Sequence, residues 1–113
     1  RVSPELEGLM DERGSFTAKS EVGIKPIMNS ELEASIVYTI IGSGDVAGSV
    51  VMMFDEQRTP PDATKEKLVS VGCKHLGYYI LNQHSLVYFQ FSKKQLLVYL
   101  RRDNPFFIES VTD

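Results

Sequence analysis

The sequence predicts a small α+β, sandwich-like domain, an antiparallel sheet with helices over 3–13 and 63–82. Three observations point there. A short run after Ser3 carries apolar residues at helical spacing. Two runs rich in β-branched residues flank the turn Gly42-Ser43-Gly44-Asp45. A longer run from Ala63 returns to helical spacing for about five turns.

Ser3-Pro4-Glu5 opens the first helix. A serine hydroxyl caps free backbone N–H groups, proline suits the first helical position, and glutamate suits the positive helix end. Leu6, Leu9 and Met10 then share one face, and Gly14 is the expected stop. Phe16, Ala18, Val22 and Ile24 alternate with polar residues, which predicts a half-buried strand over 16–24. Lys25-Pro26 and Asn29-Ser30 read as irregular. Ala34–Ile41 and Val46–Phe54 read as the two arms of a hairpin whose turn glycines supply positive φ. Gly48 inside the second arm marks a bulge or a close approach. Asp55–Asp62 is a loop containing Pro60-Pro61, and Thr59–Asp62 leads into the second helix. That helix, Ala63–Leu81, repeats Leu68, Val71, Gly72, His75, Leu76, Tyr79 and Ile80 along one side. Leu86–Phe91 and Gln95–Arg101 read as a further hairpin around Ser92-Lys93-Lys94. Phe106–Val111 reads as a short last strand.

Bulk properties bound the function. The 113 residues fit one domain, and a chain of this size buries roughly two-thirds of its unfolded surface. A net charge of −3 with mixed signs argues against direct nucleic-acid contact by this segment, which needs a clustered basic face. No apolar run approaches the ~20 residues that span a bilayer, so no membrane partner is expected. The single cysteine, Cys73, cannot close an internal disulfide, so the reading is cytoplasmic. The first residue is Arg1 rather than Met, which reads as a fragment or processed product.

No catalytic constellation emerges, and the chain is read as a non-enzyme. Cys73 and His75 stand two apart, on roughly opposite sides of a helix, so they do not form a nucleophile–base pair. Cys73 reads as a packed hydrophobe. His75 and His84 lack further ligands at useful spacing, so no metal or cofactor is expected. Gly42, Gly44 and Gly48 join two strands, unlike a phosphate-cradling loop that opens a helix. Asp45 and Gly48 are therefore structural. The acidic Glu5, Glu7, Asp11 and Glu12 read as a solvated face.

Three stretches carry a resemblance: Leu6–Arg13, Tyr38–Val51, and Lys67-Leu68 through His75-Leu76-Gly77. In order and spacing they resemble the C-terminal, GAF-like domain of the stage V sporulation protein T family of bacterial transcriptional regulators, in a truncated or circularly permuted form. The match runs from Val2 to about Gln83. Val46 stands where the family has proline, and about 30 residues follow the helix.

The resemblance implies a non-catalytic regulatory module, with a sheet of about five to six strands completed by a C-terminal hairpin over 85–101. It implies a small-molecule ligand, self-association as a homodimer or higher homo-oligomer, or both. A pocket between the sheet and the first helix would be lined by Leu6, Met10, Phe16, Tyr38 and Phe54. An interface on the second helix would use Leu68, Val71, Gly72, Leu76, Tyr79 and Ile80. The alternative is a protein–protein interaction domain with a filled core and no ligand.

Overall fold

The computed structural model describes the backbone of residues 2–42, 44–83, 95–100 and 106–111, with side chains as far as His75. Along the chain run α1 (Pro4–Asp11), β1 (Ser15–Thr17), β2 (Ala34–Gly42), β3 (Asp45–Met53), α2 (Ala63–Gln83), β4 (Gln95–Leu100) and β5 (Phe106–Val111). The fold is α+β, with two helices and an antiparallel sheet.

Helix α1 starts as its sequence dictates. The Ser3 hydroxyl accepts from the Leu6 N–H at 3.2 Å, and Pro4 occupies the first turn. Its end departs from expectation by one residue. Gly14 donates to the Leu9 carbonyl and Arg13 to the Met10 carbonyl, the paired bonds of a Schellman motif. The left-handed residue is thus Arg13, at φ 55°, rather than Gly14. A non-glycine residue there costs about 1–2 kcal/mol. The Arg13 Nη1 group donates to the Gly44 carbonyl at 2.8 Å, tying the helix end to the β2–β3 turn.

The expected strand over 16–24 is corrected. Only Ser15–Thr17 pair with β2, through Phe16↔Val37 and its neighbours. Beyond Ala18 the alternation needs an apolar residue at position 20 and meets serine instead. The Ser20 hydroxyl accepts from the Val22 N–H, so a local turn competes with the ladder. Val22 is left 70% exposed, and Ile24 returns only as an isolated bridge to Ala34.

Strands β2 and β3 pair from Ala34↔Met53 to Gly42↔Asp45. The register shifts twice. Ser35 is extra between Ala34↔Met53 and Ile36↔Met52, and Ala47 is extra between Ile40↔Gly48 and Ile41↔Val46. The second shift lies beside Gly48, at φ 156°, as the glycine in mid-strand suggests. The turn glycine Gly44 has φ 81°. The first bulge lets Ala34 and Val37 face the same side at a spacing of three. There they join Val2, Leu6, Met10, Val51 and Met53 in one buried cluster, with Phe16, Leu9 and Val46 packed around it. Ile36, Tyr38 and Ile40 alternate onto the opposite face, where Tyr38 meets α2.

Asp62 caps α2: its carboxylate accepts from the Lys65 N–H at 2.8 Å and its carbonyl from the Glu66 N–H. Val69 (fully buried), Gly72 and Cys73 form the buried side of the helix. Leu68 and Val71 lie 57% and 40% exposed. The backbone of β4 continues the sheet beside β3, with Val50↔Val98 and Met52↔Leu96 in register, and β5 pairs with β4. Of the expected hairpin over 85–101, the first arm, Leu86–Phe91, lies outside the described residues.

Candidate functional site

The two faces of the sheet are chemically different. On the α1 side the buried cluster is apolar throughout. On the α2 side a polar latch and a cleft lie side by side. One Glu66 oxygen, Oε2, accepts from the Thr17 hydroxyl at 2.8 Å and the Tyr38 hydroxyl at 3.1 Å. That carboxylate joins α2 to β1 and β2 at once. Burial, and then the bond to Glu66, hold the Tyr38 phenol above its ordinary pKa of 10.0.

One turn further along α2, a cleft of about 320 Å³ opens between the helix and β2. It is lined by Tyr38, Thr39, Ile41, Ser70, Cys73 and Lys74. Helical spacing explains the set: Ser70, Cys73 and Lys74 fall at i, i+3 and i+4. The Cys73 thiol donates to the Thr39 carbonyl at 3.2 Å. Burial pushes that thiol up to about 12 from an ordinary 9.0. It therefore rests as a thiol rather than a thiolate at neutral pH.

Of the five residues expected to line a pocket, Leu6, Met10 and Phe16 meet, while Tyr38 and Phe54 stand apart from them. Leu6 and Met10 are fully buried in the apolar cluster, with Phe16 packed against it. Tyr38 belongs to the opposite face, at the cleft. Phe54 lies beyond the end of β3, with the Arg58 guanidinium 4.7 Å from its ring centroid. Arg58 also donates through Nε and Nη2 to the Glu21 carbonyl, at 3.0 and 2.7 Å, and pairs with Glu33 at 2.5 Å. The Gly23 N–H and then Arg58 hold Glu33 below its ordinary 4.5.

Of the residues expected at an interface, Leu68 and Val71 are exposed, while Gly72 is buried with Cys73. The side chains of Leu76, Tyr79 and Ile80 lie outside the described residues. Sequence reasoning missed Glu66, Ser70 and Lys74. A signal for them exists: Glu66, Val69, Ser70 and Cys73 follow helical spacing, but as a polar and small-residue stripe that hydrophobic periodicity does not register.

Among the described residues, no group of three His, Cys, Asp or Glu side chains is arranged to hold a metal, and no helix is long and apolar enough to cross a membrane. The arrangement defines a small α+β domain with a closed core on one face of its sheet and a partly open cleft on the other. Residues 1–80 match the family described as stage V sporulation protein T C-terminal, transcription factor, and the chain belongs to that family. No curated protein and no solved structure matches the chain.

Proposed function

We propose that this domain is a non-catalytic, GAF-like sensing module of a bacterial transcriptional regulator, working in the cytoplasm by binding a small molecule, by dimerising through α2, or by both. The observation that carries this reading is the two-sidedness of α2. Its inner side borders a partly open cleft, and its outer side shows the apolar pair Leu68 and Val71 to solvent. A helix that only covered a sheet would need one narrow apolar stripe. Family membership supports a regulatory role in transcription.

In this reading the segments after α2 complete a GAF-like sheet of five or six strands, in an order permuted relative to the family. The pairing of β4 beside β3 supports that arrangement. Native mass spectrometry of the full chain, with sedimentation velocity over a range of concentrations, tests the proposal. It predicts a dimer, a retained small molecule, or both. A ligand-free monomer at high concentration overturns it.

A second reading has its own support. Leu6 and Met10 are fully buried in the apolar cluster on the α1 side. That favours a ligand-free protein–protein interaction domain for a different chain, which the same experiment would reveal as a ligand-free monomer.

A further inference from the structure

We infer that the cleft between α2 and β2 is a binding site for a small carboxylate with an apolar body. The inference rests on the sensing reading above and gives it a place and a ligand class. At about 320 Å³ the cleft is at the small end of ligand pockets, which suits a compact molecule.

Its lining divides by chemistry. Ile41 and the Tyr38 ring supply apolar surface. Cys73 is also part of this surface, since its thiol proton is already directed to the Thr39 carbonyl. The Ser70 hydroxyl is engaged with the Tyr38 phenol, so the polar group that remains is the Lys74 ammonium. Lys74 is exposed and is the one ionisable cation among the lining residues. Among the described residues, no acid lines the cleft. The nearest acid along α2, Glu66, is already engaged with Thr17 and Tyr38.

The balance of charge follows. A cationic ligand would be repelled by Lys74 with no carboxylate to offset it. A neutral apolar ligand would leave Lys74 without a role. A carboxylate accepts from Lys74, and its bond to an ammonium is charge-assisted. The apolar body then covers Ile41 and the tyrosine ring.

The test is an amide NMR titration of the full chain with three nearly isosteric probes: 4-methylpentanoate, 4-methylpentanamide and 4-methylpentylamine. The carboxylate is expected to shift the amides of Thr39, Ser70, Cys73 and Lys74 saturably. The amide should bind about tenfold more weakly, the loss of one charge-assisted bond, and the amine should bind least. Lys74→Gln should equalise carboxylate and amide, whereas Lys74→Arg should keep the preference. Because Lys74 is exposed, neither variant threatens folding.

Equal affinity for all three probes overturns the ligand class. Saturable shifts centred on Leu6 and Met10 overturn this site and leave the sensing reading standing. Absence of saturable binding by any probe overturns the site, while co-purification of a native ligand decides the sensing reading separately.

Discussion

The α1 side of the sheet, under a helix of 8 residues, and the α2 side, under one of 21, are built to different ends. Under α1 the residues meet as hydrocarbon on hydrocarbon, and Leu6 and Met10 have no exposed surface. Under α2, among the described residues, a shared carboxylate and a thiol–carbonyl bond accompany the fully buried Val69, Ile36 and Ile40, and a cleft remains. The difference teaches where this domain has latitude. A close-packed interior resists any change of volume, while a cleft beside a polar latch has room for a ligand.

The largest effect expected from breaking this comparison is on the filled side. Met10→Ala should destabilise by about 2–5 kcal/mol, because the cavity cannot close under a helix pinned at both ends. Urea denaturation checks this. A loss below 1 kcal/mol would mean that the α1 side is as loosely packed as the other.

On the cleft side the strongest expected effect is at the latch. Glu66→Ala leaves the hydroxyls of Thr17 and Tyr38 without their acceptor, at about 1–3 kcal/mol. Hydrogen exchange should accelerate in α2 while α1 keeps its protection. Equal acceleration in both helices would show that the two faces are not separable. Gly44→Val should cost about 1–3 kcal/mol, since a β-branched residue tolerates φ 81° poorly. A thermal shift within error would refute the turn geometry.

Acid pH sharpens the contrast at the loops. The folded pKa of Glu33 is depressed, so its contribution is complete above about pH 4.5 and is lost as pH falls through the lower folded value. Glu33→Gln should therefore flatten the acid side of a melting-temperature profile. An unchanged slope would show that Glu33 titrates normally.

The smallest expected change in stability is on the outer face of α2. Leu68→Glu should alter folding by no more than about 0.5 kcal/mol, because Leu68 is largely exposed. If α2 is the dimer interface proposed above, its effect should appear in sedimentation instead, as a shift from dimer to monomer. A variant that sediments like the parent would remove Leu68 from any interface.

Much of the fold was legible before the structure. The cap at Ser3, the hairpin with its glycine turn, the bulge beside Gly48 and the start of α2 at Ala63 are local matters of backbone conformation and hydrogen bonding. The expected strand over 16–24 failed because period-2 alternation ignores what Ser20 does to its own backbone. The helix stop was placed at Gly14 because glycine is the usual left-handed residue. The chain uses Arg13, whose side chain reaches Gly44, 31 positions away.

The candidate site was the least legible part. Periodicity in α2 marked Leu68, Val71 and Gly72. Leu68 and Val71 face solvent, and the sheet takes Val69 and Cys73 instead. Hydrophobic patterning reports that a side chain is apolar, not which neighbour covers it.

The sequence by itself determined the two helices, the hairpin and the family, because capping groups, turn glycines and short-range spacing act between residues near in the chain. Only the tertiary structure decided which face of α2 meets β2, that Glu66 joins Thr17 to Tyr38, and that a cleft opens beside Lys74. Those depend on residues up to 49 positions apart meeting in space, and on two bulges that reset which strand residues share a face. No local rule carries that information.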